Sequence, residues 1–65
     1  LNPSNWVLVQ DVKEAYELSF GYLPPIRYCA SDCIEAIESI GGRVKRIYEN
    51  NTLMEVYLDE STRLH

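Results

Sequence analysis

Residues 32–58 decide the fold: DCIEAIESIGG, then RVKRIYE, the dipeptide Asn50-Asn51, and TLMEVYL. Cys33, Ala36, Ile37 and Ile40 recur at i, i+3, i+4 and i+7. That spacing lays them along one face of a helix, and Ile34 widens the stripe. Asp32 stands three residues before Glu35, the spacing at which the first caps the opening turn and the second reaches back. Gly41-Gly42 closes the helix, because glycine accepts the left-handed conformation that satisfies its last carbonyls. A strand then runs from Val44 into Asn50-Asn51. Asparagine tolerates positive φ, so a two-residue hairpin turn is expected there.

An unbroken ladder from that turn pairs Glu49 with Thr52, Tyr48 with Leu53, Arg46 with Glu55 and Val44 with Tyr57. One face then carries Ile47, Met54, Val56 and Leu58. The other carries Val44, Tyr48, Leu53 and Tyr57 around an Arg46–Glu55 pair. An exposed sheet face normally reads polar. Both faces of this ribbon read apolar, which marks Val44, Tyr48, Leu53 and Tyr57 as candidate partner-binding residues. Tyrosine suits that role, since it buries apolar area and keeps a polar tip.

Outward from the ribbon, Trp6-Val7-Leu8-Val9 is a short apolar run read as a buried strand. Asp11 and Glu14 repeat the Asp32/Glu35 spacing and open a second helix at Val12, with Val12, Ala15, Tyr16 and Ser19 on its inner face and Gly21 as its stop. Tyr22-Leu23-Pro24-Pro25 cannot continue a helix, since each proline lacks a donor and restrains its predecessor. Ile26–Cys29 reads as another short strand. The expected fold is an α/β (α+β) two-layer sandwich in β-α-β-α-β-β order, two short helices on one face of a mixed four-stranded sheet. The alternative is a winged-helix-like set of helices with a C-terminal hairpin, should 6–9 and 26–29 not be strands. Residues 1–65 form a single small domain, with 1–5 a lead-in and 59–65 a fraying tail.

Sixty-five residues of formal net charge −4, six basic against ten acidic, give no overall basic footprint for phosphate. The cluster Arg43, Lys45 and Arg46 is the one local exception, and nucleic acid would enter through it only in the winged-helix alternative. No run is long enough to span a membrane, and no leader is evident. A first residue of Leu1 suits a processed form or a domain cut from a longer protein. Two cysteines are too few for a stapled secreted scaffold, so a reducing, cytoplasmic setting is expected.

Reactive chemistry has few candidates. Cys29 and Cys33 lie at a helix start, where a dipole favours thiolate. Their four-residue spacing is that of neither a redox pair nor a zinc ribbon, and Cys33 falls on the apolar face. The only histidine, His65, ends the chain, so no internal Cys–His or Ser–His arrangement can be built. The carboxylate pairs are explained by capping. Asn50-Asn51-Thr52 matches a glycosylation sequon, but the turn accounts for both asparagines. No cofactor or metal is expected.

Ile34 to Glu60 resembles part of a bacterial subtilisin propeptide. The likeness rests on the helix ending in Gly41-Gly42, then Arg43-Val44-Lys45-Arg46, the short hairpin, and Asp59-Glu60 where that family's next helix would begin. The resemblance implies a small inhibitory domain that packs a sheet face on a protein partner. The expectation for function is therefore a non-catalytic protein-binding or inhibitor-like module, its aromatic sheet face meeting a partner or a second copy in a homo-oligomer. The alternatives are a small thiol protein using Cys29 and Cys33, for redox or sulfur transfer, and a winged-helix nucleic-acid binder.

Overall fold

The structure, a computed structural model, describes residues 5–62. Its order is β1 (Trp6–Val9), α1 (Val12–Phe20), α2 (Ala30–Ser39), β2 (Val44–Glu49) and β3 (Thr52–Asp59), followed by a 3-10 turn at Glu60–Thr62. The three strands form one antiparallel sheet in the order β1-β3-β2. The expected four-stranded mixed sheet is not formed. Ile26–Cys29 is no strand: behind Pro24 and Pro25 the chain turns, the Tyr28 N–H donating to the Pro25 carbonyl at 3.0 Å. With no strand between the helices there is no crossover to demand parallel pairing, and the two helices form a hairpin instead. The winged-helix alternative fails as well, because residues 6–9 are a strand paired with β3.

Helix α1 starts and stops where its local chemistry dictates. Asp11 caps it, accepting from the Glu14 N–H at 2.8 Å, and Gly21 ends it at φ 87° while donating to the Glu17 carbonyl. Helix α2 begins three residues earlier than expected. Cys29 is its N-cap, and Asp32 lies in the first turn, where its carboxylate accepts from the Cys29 N–H at 3.0 Å. Asp32 therefore reaches back, rather than capping for Glu35.

Asn50 and Asn51 take positive φ, 52° and 66°, and form the expected tight turn. The ladder leaves the turn as expected, Glu49 opposite Thr52 and Tyr48 opposite Leu53, and then breaks. A bulge absorbs Met54, so Ile47 meets Glu55, Arg46 meets Val56, Lys45 meets Tyr57 and Val44 meets Leu58. The cause is a conflict of parity. The turn alone would put Val44 on the face opposite Val56 and Leu58. One extra residue in β3 brings all three to the same side, and burial of that side outweighs regular pairing.

The core is Val9, Val12, Ala15, Tyr16, Cys33, Ile37, Val56 and Leu58, with Val7 and Val44 packed against it. Both helices therefore lie on one face of the sheet. Burial of about 1.5–3 kcal/mol per large aliphatic side chain is what holds the two layers together. At the other end of the chain, Asp59 belongs to β3, and Glu60 donates its N–H to the Asn5 carbonyl at 3.0 Å. Residues 60–62, expected within the fraying tail, thus form a bonded turn, while 63–65 and the first four lead-in residues lie outside the described residues.

Candidate functional site: the uncovered sheet face

Strand alternation assigns each side chain to a layer. Val7 and Val9 of β1 point to the core, so Trp6 and Leu8 point to the opposite face. Tyr57 lies between buried Val56 and Leu58 and joins them there, as do its cross-strand neighbours Lys45 and, one pair on, Ile47 and Glu55. Among the described residues no element covers this outer face. Leu8 is 59% exposed on β1, and Ile47 and Met54 are exposed on the hairpin, across Tyr57 and Glu55 from it.

A basic and aromatic row organises the middle of the face. The Lys45 Nζ sits 4.8 Å from the Trp6 ring centroid and 5.1 Å from that of Tyr57. The Arg43 guanidinium lies 5.6 Å from the same indole. Such contacts are worth about 0.5–1 kcal/mol each at exposed sites, so together they bias Lys45 and the rings beside it toward this arrangement before any partner arrives. The Tyr57 hydroxyl donates to Glu55 Oε1 at 2.9 Å. That bond, then partial burial, then the Glu55 charge push the Tyr57 phenol above its ordinary value.

The four sequence candidates are not brought together. Because of the bulge, Val44 is half-buried against the core beside Leu58, while Tyr57 stands on the outer face. Tyr48 and Leu53 share the helix side of the ribbon but are exposed, since that part of β3 runs beyond the four residues paired with β1. The proposed Arg46–Glu55 pair is not made. Arg46 faces Val56 and stacks near Tyr48, 6.0 Å from its ring. Trp6 and Leu8, absent from the sequence candidates, are central. Their signal was the alternation within Trp6-Val7-Leu8-Val9, hidden because all four residues are apolar.

The thiols are separated by environment. Cys33 is fully enclosed, and burial pushes its thiol up, away from thiolate at neutral pH. Cys29 is exposed, and its Sγ donates to Asp32 Oδ2 at 3.2 Å. Among the described residues no group of three or more His, Cys, Asp or Glu is placed to hold a metal, and His65 lies outside them. No helix among them is long and apolar enough to cross a membrane.

A second cluster, Tyr16, Phe20, Tyr22 and Tyr28, closes the far end of the helix pair, with centroids 4.4–6.1 Å apart. Beside it the proline connector leaves Ile26 99% exposed. No protein-family model, curated protein or solved structure matches the chain.

Proposed function

We propose that this domain is a non-catalytic protein-binding module and that the uncovered sheet face is its docking surface. The observation that supports it is the exposure of Leu8, Ile47 and Met54 around a pre-ordered Trp6–Lys45–Tyr57 stack, on a face that neither helix reaches. Contiguous apolar area rimmed by charge is the usual mark of a protein contact. Aromatic residues already held in place lose little further freedom on binding. The likeness of residues 34–60 to a subtilisin propeptide points the same way, since that resemblance implies docking through a sheet. The burial of Cys33 withdraws one of the two thiols from the alternative reading.

Photocrosslinking tests the reading. A benzophenone side chain placed at Ile47 on the outer face is expected to give a discrete adduct in an extract of the source cells. The same group at Glu17 on the helical layer is expected to give none. The Ile47 adduct is also expected to disappear in a Tyr57→Glu background that keeps its far-UV circular dichroism. Equal labelling from both positions, or none from Ile47, overturns the assignment.

A further inference from the structure

Hydrogen-bond phase shows which backbone groups of β1 are used. Asn5 lies opposite Glu60 by continuation of the Trp6–Asp59 register, and its carbonyl accepts from the Glu60 N–H. Bonded and non-bonded pairs alternate along an antiparallel ladder, so Val7 and Val9 also bond to β3. The N–H and C=O groups of Trp6 and Leu8 consequently point away from β3, toward an edge of the sheet with which no other strand among the described residues pairs. The other open edge belongs to β2. It carries Arg46 and Glu49, charged side chains of the type that blunt an edge against pairing, while the Lys45 ammonium turns inward across β3 to Trp6. The β1 edge, WVLV, has no charge and no proline.

We infer that the β1 edge pairs with the β1 edge of a second copy, joining two sheets into one antiparallel six-stranded sheet. The inference goes beyond the docking-face reading above, since it concerns the sheet edge and not the face. A second copy fits for three reasons. The edge is self-complementary: with Trp6 opposite the partner copy's Leu8 and Val7 opposite its own equivalent, both sheets keep their core and outer faces aligned. In that register each Trp6–Leu8 pair exchanges two backbone bonds, and the two-fold axis doubles them, so all the outward groups of Trp6 and Leu8 are satisfied. Sliding the strands so that Trp6 meets Gln10 is disfavoured, because the Gln10 N–H is already donated to the Glu14 carboxylate. Finally, the strand side chains that meet at the seam, Trp6, Val7 and Leu8, are themselves uncharged, and the Lys45 and Arg43 cations held over Trp6 stand on the outer face and not between the strands.

Sedimentation velocity and amide exchange on the wild-type chain test this together. A mass near twice 7.5 kDa is expected at high concentration. The Trp6 and Leu8 amides are expected to become protected as concentration rises, while Val7 and Val9 stay protected throughout. Leu8→Lys is expected to abolish the dimer, since it sets a cation beside the seam of each copy and leaves the core untouched. Leu8→Pro, which deletes an outward N–H that the monomer does not use, is expected to do the same. A monomer at millimolar concentration with freely exchanging Trp6 and Leu8 amides overturns the pairing. So does a dimer whose Trp6 and Leu8 amides stay unprotected, or one that survives in folded Leu8→Lys. A monomeric chain that still gives the Ile47 crosslink rejects the edge pairing alone. A dimer without that crosslink to any other protein shows the edge to be the contact and the face not.

Discussion

The two glycines of Gly41-Gly42 do different work. Gly41 sits at φ +85° with open space around it, so its cost to any other residue is the left-handed backbone alone. Gly42 is buried. A Cβ there would overlap Thr62 Cγ2, would stand 2.6 Å from Ile37 Cγ2 and would stand 2.9 Å from the Ile37 carbonyl oxygen. Gly42→Ala is expected to lose about 1–3 kcal/mol through overpacking, and Gly41→Ala about 1–2 kcal/mol through backbone strain, both read as shifts in urea midpoint. Asp32 gives a pH-dependent counterpart. The Cys29 N–H, then the Cys29 thiol, holds its carboxyl below the ordinary 3.8. A carboxyl lowered by folding adds stability above its unfolded value, and that contribution disappears as pH falls through the folded value. Asp32→Asn is therefore expected to flatten the loss of stability on the acid side of pH 4, measured as urea midpoint against pH. Tyr57 runs the other way: its folded value is raised, so its contribution is present below pH 10 and is lost as pH rises through the folded value. Ultraviolet titration of Glu55→Gln is expected to return Tyr57 toward 10.0.

Among the elements, the β2–β3 hairpin shows what was legible in the sequence and what was not. The cap and stop of α1 and the hairpin turn were legible because their causes are local, whereas the start of α2 was not, since Asp32 reads as an N-cap but lies in the first turn behind Cys29. Asp11 stands next to the turn it caps, Gly21 ends the helix it follows, and Asn50-Asn51 carry their own tolerance for positive φ. The bulge was hidden because its cause is distant. Nothing near Met54 demands an extra residue; the demand comes from Val44, which must share a face with Val56 and Leu58 above the helices. The missing fourth strand has a similar origin, since Ile26-Arg27-Tyr28-Cys29 is apolar enough for a strand but has no neighbour to pair with once the prolines have turned the chain. The outer face was half legible. The structure separates Tyr57 from Val44, Tyr48 and Leu53 and sets it beside Trp6 and Leu8, whose wholly apolar run hides its alternation. Deleting Met54 tests the parity argument. Without the extra residue the turn register and the core register agree, so the hairpin is expected to persist with amide shifts confined to residues 47–55. Loss of the Val44–Leu58 cross-strand contact in that variant would contradict it.

For the molecule as a whole, size sets the terms. A single core in a domain of this length supplies about 3–5 kcal/mol of net stability. Ile37 is among its largest fully buried side chains, at 0% exposure, and the helix it stands on reaches the sheet mainly at β2. Truncating such a residue costs about 2–5 kcal/mol, as much as the whole chain has to lose. Ile37→Ala is thus expected to be largely unfolded at 25 °C, with collapsed near-ultraviolet circular dichroism and Trp6 emission shifted to that of exposed indole. Association changes that balance by mass action, because a partner that binds only the folded chain adds stability in proportion to the logarithm of its concentration. The joined sheet therefore carries a thermodynamic signature of its own. The wild-type melting temperature is expected to climb with protein concentration, and that of Leu8→Lys to stay constant. Ile37→Ala should regain structure at high concentration in the wild-type edge background and fail to do so once Leu8→Lys is added. A melting temperature independent of concentration in the wild type would confine the stability of this fold to what its hydrophobic core supplies within one copy.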